Sequence, residues 1–297
     1  MVVSEINSGL GNQMFQYAAG KALADHLKTN LLLDTTWYDD SIQAQTPRNF
    51  ELNVYPIQGN LANQEIVDQL IRPSSNGLLN KLKHQLNRRR AIHKQWAFIE
   101  PHFHFYSKFF EASSPIYLSG YWQSEKYFLP IADQIRQTFT IEISIQEACF
   151  KTFKTIQSST NSVSIHVRRG DMVKNPDVAK IHGSCNLDYY LRCMKKVEER
   201  IKSPEYFVFS DDPLWCKQNL QSNFPIHFVS DNYAEKSYLD IQLMRQCKHH
   251  IIANSSFSWW GAWLNPNPDK IVIAPLNWFA HSEHNTSDLI PSSWLRF

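Results

Sequence analysis

No apolar run in this 297-residue sequence is long enough to cross a bilayer. Its amino terminus, Met1-Val2-Val3-Ser4-Glu5-Ile6, runs into Gly9 without the hydrophobic stretch of a secretory signal. Neither an integral membrane protein nor a secreted one is expected. The five cysteines, Cys149, Cys185, Cys193, Cys216 and Cys247, are odd in number and contain no C-x-x-C pair. A disulfide framework and a zinc site are therefore not indicated, and a reducing, cytoplasmic compartment is. An excess of one charge is also missing: 30 Lys and Arg stand against 28 Asp and Glu, too balanced for a nucleic-acid partner. There is no internal repeat and no low-complexity tract.

What is present describes a globular α/β protein of two domains. At this length the chain is comfortable for two units, each with its own core. Aromatic residues are plentiful, which suits sugar stacking, although most of the rings are expected in cores. One local charge run stands out. Lys81, Lys83, His84, Arg88, Arg89, Arg90 and Lys94 accompany Leu78, Leu79, Leu82 and Leu86 at roughly helical spacing. A basic amphipathic segment over 78–94 is a candidate for peripheral contact with an anionic membrane surface, weighed against a solvated helix that packs its leucines on the protein.

The opening reads as strand Val2 to Ile6, loop Asn7 to Asn12, helix Gln13 to about Leu27 with Phe15, Ala18, Ala19, Ala22 and Leu23 as its apolar stripe, and strand Leu31 to Asp34. Residues 40–160 are less regular and punctuated by prolines, with Tyr117-Leu118-Ser119-Gly120-Tyr121-Trp122 as one more strand and its turn. The polar stretch 158–162 marks a boundary, dividing the chain into 1–160 and 161–297. Beyond it, strands predicted over 163–167, 205–209, 226–230, 249–253 and 270–274 alternate with helices near 188–201, 213–222, 235–247 and 258–264. That alternation argues for a doubly wound parallel sheet.

Such a sheet collects its ligand residues beyond the carboxyl ends of its strands. The segment His166-Val167-Arg168-Arg169-Gly170-Asp171 closes an apolar strand in which Val163, Ile165 and Val167 share one face and Ser164, His166 and Arg168 the other. A guanidinium there suits a phosphate or carboxylate, and Arg169 falls on the structural side. The next strand ends deliver Asp211 and Asp212, then Asp231, then Asn254, Ser255, Ser256 and Phe257 at a helix start. Hydroxyls and free N–H groups at a helix start hold an anion, so 255–257 fit a phosphate. The carboxylates fit a ribose or a guanine N–H, with helix capping as the competing reading for Asp211, Asp212 and the serines. The Gly9-Leu10-Gly11 loop with Asp34 imitates a dinucleotide fingerprint, but Met14 stands where its third glycine belongs, which argues against an oxidoreductase. Asn12 is read instead as a polar contact facing the other domain.

In combination and order, Ser8 to Tyr17, Gly120 to Phe128, His166 to Asp171, Phe209 to Asp212 and Ala253 to Leu264 resemble the α-1,2-fucosyltransferases of glycosyltransferase family 11, in their bacterial, soluble form. The resemblance implies a GT-B architecture, two Rossmann-like domains facing a central cleft, with 1–160 on the acceptor side and 161–297 binding GDP-β-L-fucose. It implies transfer of L-fucose, with inversion and without a metal or other cofactor, to the 2-hydroxyl of a β-galactoside in a surface glycan such as a lipopolysaccharide O-antigen. Arg168 would meet the β-phosphate, Asn12 with Asp171 or His166 would orient the acceptor, and Gly11, His166, Asp211, Asp212, Asp231, Asn254, Ser255, Ser256 and Phe257 would complete the donor side. Met172 departs from the Tyr that many relatives carry. A cytoplasmic enzyme, peripheral at the inner membrane if 78–94 touches lipid, is the expectation. A non-catalytic nucleotide- or sugar-binding protein, or a fucosyltransferase of another linkage, is the alternative.

Overall fold

The computed structural model describes residues 1–39, 48–71, 85–144, 147, 149–230, 236–281 and 283–297. They form two compact units, residues 1–139 with 284–289, and residues 140–283 with 290–297. Residues 140–160, grouped by composition with the first half, belong to the second unit. Helix Phe150–Ser158 packs on helix Tyr238–Gln246, and the amide of Ile141 donates to Oε1 of Gln242 at 3.2 Å.

The first unit holds a parallel sheet of β1 (Val2–Glu5), β2 (Leu31–Asp34), β3 (Asn60–Leu61), β4 (Ala97–Ile99) and β5 (Ile116–Ser119), in the order β3-β2-β1-β5-β4. Chain order runs outward from β1 on one side and resumes at β4 and β5 on the other, so the winding reverses between β1 and β5. The crossover helix Leu10–His26 follows β1 as the sequence reading required, but it is buried on nearly every side rather than along one stripe. Its close approach to β1 depends on Gly20, where a Cβ would lie 2.8 Å from Cβ of Ser4. The aromatic residues serve the core here: Trp122 meets Phe98, Phe109 and Tyr127 with ring centroids 5.2–5.3 Å apart, and all four are fully buried. Asp34, the residue that imitated a ribose ligand, accepts hydrogen bonds from Tyr117 and Thr36.

The second unit holds β6 (Ser162–Val167), β7 (Glu205–Ser210), β8 (Ile226–Val229), β9 (His249–Ile251), β10 (Val272–Ala274) and β11 (Leu295–Arg296), again all parallel. The order β11-β10-β9-β6-β7-β8 contains each predicted strand and adds a short edge strand. Helices Leu187–Glu198, Pro213–Asn219, Tyr238–Gln246 and Ser256–Trp263 occupy the predicted stretches, and two short helices, Gly170–Lys174 and Pro176–His182, were not foreseen. Val163, Ile165 and Val167 share one core cluster, as alternation demands. Two parallel α/β units in one chain are the GT-B organisation that the resemblance implied. All five cysteines are buried, none is in a disulfide, and all lie within this second unit.

Among the described residues, no helix is long and apolar enough to cross a membrane. Residues 78–84 of the basic segment and Asp231 lie outside the described residues, as does the side chain of Asp171.

Candidate active site

In the second sheet, β6 is followed by β7 and β8 on one side and by β9, β10 and β11 on the other. The winding therefore reverses between β6 and β9, and open α/β sheets bind ligands in the crevice beyond that switch point. His166 and Arg168 lie at the end of β6, and the segment from Asn254 to Phe257 follows β9.

Arg168 leaves β6 with its guanidinium held by the neighbouring strand end, Nη1 lying 2.8 Å from Oδ2 of Asp211. The other carboxylate oxygen of Asp211 accepts the backbone N–H of Arg169 at 2.8 Å. A Cβ on Gly170 would come within 2.6 Å of Oδ2, so glycine is what allows the carboxylate to reach both groups. Arg169 turns the other way, as the strand-face argument required. Its Nε lies 3.2 Å from Oδ2 of Asp212 and its guanidinium sits 4.0 Å over the ring of Trp215. Asp212 also caps helix Pro213–Asn219 through the amide of Trp215, which is one of the two roles weighed for it. The acidic pair thus orients two arginines and starts a helix.

His166 is buried, and Nδ1 has no hydrogen-bond partner among the described residues. Burial pulls its pKa down to about 4, against the attraction of Asp211 and with the repulsion of Arg168, so the imidazole is neutral near pH 7. Its ring packs on Phe257, centroids 5.6 Å apart, which brings the start of helix Ser256–Trp263 beside the end of β6. Ser255 occupies the cap position without a side-chain capping bond, and the first N–H groups of any helix lack intrahelical partners. That helix is pinned by Trp259, Trp260 and Trp263, all buried, and by Gly261 against Met244. Its positive end is therefore fixed in place.

Asn254 has a different task. Its Nδ2 donates to the carbonyls of His182, Trp278 and, more weakly, Gly183, at 2.9, 3.2 and 3.3 Å, and Oδ1 accepts from Sγ of Cys185 at 3.6 Å. It fastens the loops around the crevice. Sequence reasoning missed a buried relay in which Ser164 Oγ lies 2.8 Å from Nδ1 of His250 and Asn265 Nδ2 lies 2.8 Å from Nε2. Ser164 shares a face with His166, which was the available signal. Gly11 and Asn12 are in the first unit, in the first turn of helix Leu10–His26. There Oδ1 of Asn12 accepts from Nε2 of Gln123 at 2.8 Å, a partner 111 residues distant.

A guanidinium held by a carboxylate, a helix start and a neutral imidazole with a nitrogen unpartnered among the described residues thus gather around one switch point, the groups that suit an anion. Comparisons with known proteins bear on the family and the fold. The sequence model of the family described as Glycosyl transferase family 11 matches residues 1–296. An α-1,2-colitosyltransferase of Escherichia coli is 37% identical over 100% of this chain and 98% of its own length. The O-antigen biosynthesis glycosyltransferase WbnK of Escherichia coli is 33% identical over 98% of each chain. Among solved structures, NodZ α-1,6-fucosyltransferase soaked with GDP-fucose superimposes with a TM-score of 0.51 at 15% identity, covering 89% of this chain and 92% of that one, a likeness of fold.

Proposed function

The chain belongs to glycosyl transferase family 11, and on that premise we propose that it is an inverting α-1,2-fucosyltransferase. It moves L-fucose from GDP-β-L-fucose to the 2-hydroxyl of a terminal β-galactoside in a surface glycan such as an O-antigen. The observation that carries this reading is the fixed position of Arg168, clamped by Asp211 beside the start of helix Ser256–Trp263.

The chemistry follows from where charge grows. As the anomeric bond breaks, negative charge builds on the leaving diphosphate, and preorganised positive groups lower that barrier without having to move. Arg168 brings a full charge with forked geometry, and the helix start brings aimed N–H groups. Asp211 serves the donor through Arg168. A single displacement needs one positioned hydroxyl and no enzyme nucleophile, and so inverts the anomeric carbon. The positive charge that a metal would bring is already supplied by protein groups, so the reaction is proposed to be metal-independent.

A second reading concerns the donor, because the relative at 37% identity is a colitosyltransferase. Colitose is fucose without its 3-hydroxyl. A site that hydrogen-bonds this hydroxyl rejects the sugar lacking it, whereas one that fills the space with apolar groups rejects fucose. The test is transfer from GDP-fucose and GDP-colitose to a panel of β-galactosides, with the product anomer assigned by NMR. A higher kcat/KM with GDP-colitose would replace the fucose assignment. Transfer to a 2-deoxygalactoside would overturn the linkage, a β-linked product the inversion. GDP-induced stabilisation without transfer from either donor would leave a nucleotide-binding protein.

A further inference from the structure

We propose that Asn12 and Gln123 form a hydroxyl-recognition subsite in the first unit, with Gln123 as a specificity-determining residue for the acceptor sugar. The first sheet has its own switch point between β1 and β5, and both residues lie beyond it. Asn12 follows the loop leaving β1, and Gln123 follows the turn leaving β5. Nε2 of Gln123 donates to Oδ1 of Asn12 at 2.8 Å although Gln123 is only 6% exposed.

Each amide is thereby half used. The bond uses the carbonyl of Asn12 and the amino group of Gln123, so the amino group of Asn12 and the carbonyl of Gln123 take no part in it. Turning both amides over exchanges the roles and again leaves one donor and one acceptor. A hydroxyl both donates and accepts, so one hydroxyl satisfies the couple. A phosphate or carboxylate would meet the carbonyl with like charge, and an ammonium would leave the amino group unmet. The ligand class this selects is a neutral polyhydroxyl compound.

The turns that present the couple are strained, which is independent of the hydrogen bond between them. Ser8 and Trp122 adopt φ of 63° and 55°, in the left-handed region that a bulky residue such as tryptophan rarely enters. Both conformations are held from outside. Glu100 accepts the amides of Tyr121 at 2.7 Å and Trp122 at 3.1 Å, and Gly120, at φ 154°, leaves room where a Cβ would be 2.4 Å from Cβ of Glu100. Gln16 joins the two turns through Asn7 and the carbonyl of Gly120, while Gln13 and Tyr38 fasten the carbonyl of Ser8. The Glu100 carboxyl, pushed up to about 7 by burial, stays in this role because two backbone donors face it.

Naming the polyhydroxyl ligand as the acceptor rests on the transferase reading. The variants Gln123→Ala and Gln123→Met, the second close in volume, are compared with the unaltered protein on β-galactoside acceptors and on their monodeoxy analogues. We expect KM for the galactoside to rise about tenfold or more, with the Kd for GDP and the Tm unchanged. One deoxy analogue should lose affinity for the unaltered protein and lose nothing further for Gln123→Met. An unchanged KM, or hydroxyl deletions that cost both proteins equally, would overturn the subsite. If the unaltered protein transfers no sugar, the transferase reading falls by itself. The subsite is then judged by saturation-transfer NMR with methyl β-galactoside, where signal lost in Gln123→Met supports it and equal or absent signals in both proteins refute it.

Discussion

Arg168 and Asp211 meet at 2.8 Å across the ends of two adjacent parallel strands, β6 and β7. The pair is part-exposed, with about a quarter of each side chain accessible, so its direct contribution to stability is small. Its value lies in aim, since a guanidinium anchored to a carboxylate is held in one orientation.

Replacing Arg168 with Lys should therefore lower kcat by about a hundredfold or more while the melting temperature holds, because a point charge lacks the fork. The same replacement at Arg169 should do the reverse. It removes the stack on Trp215 and the bond to Asp212, lowering stability by about 1 kcal/mol with turnover largely retained. Steady-state kinetics and urea unfolding on the two variants separate the roles, and near-normal transfer by Arg168→Lys would remove Arg168 from the mechanism.

Gly170→Ala tests the same pair without touching either charge. The added Cβ would press on Oδ2 of Asp211 at 2.6 Å, so the carboxylate must leave Arg168 or the turn must shift. We expect a loss of roughly 1–3 kcal/mol in stability together with a rise in the Kd for GDP measured by calorimetry. An unchanged Kd would mean that the clamp does not govern the anion site.

Acid should weaken the protein through His166. Its pKa is depressed to about 4 from an ordinary 6.5, so the fold favours the neutral ring. The associated stability is complete above 6.5 and is lost as pH falls through that interval toward 4, reaching on the order of 3 kcal/mol at most. His250, also held well below its ordinary value by burial, adds to the same trend. Urea unfolding across the interval should show a shallower pH slope for His166→Gln than for the unaltered protein, and identical slopes would count against a buried neutral imidazole.

Activity should survive exhaustive chelation. Asp211 and Asp212, the adjacent carboxylates that would tempt a metal assignment, have their oxygens engaged by Arg168, Arg169 and two backbone amides. Loss of transfer in EDTA, restored by manganese or magnesium, would contradict the proposed electrostatics.

The second unit was more legible in the sequence than the first, for a physical reason. Period-two alternation at 163–167 settles which side chains share a face, and it separates Arg168 from Arg169. Local capping chemistry likewise made Asp212 readable. The commitment of Asp211 to Arg168 and the use of Asn254 on three carbonyls were not readable, since the partners of Asn254 lie between 24 and 72 residues away and Arg168 and Asp211 sit on different strands. In the first unit, Gln123 lay within a recognised motif with no role attached, because its partner Asn12 is brought to it only when β1 and β5 pair.

The placement of the cysteines has a practical consequence. Burial raises the thiol of Cys193 to about 12 and those of Cys185 and Cys216 to about 11, and lifts Cys247 as well, so these four carry almost no thiolate near neutrality, and all five thiols are buried. Alkylating reagents must wait for the chain to open. Because every sulfhydryl belongs to residues 140–283, the labelling rate reports breathing of that half alone. GDP, if bound there, should slow labelling in proportion to its occupancy, whereas a galactoside held by the other half should leave it untouched. The native chain thus carries its own footprinting probe for one of its two halves, with no engineered label.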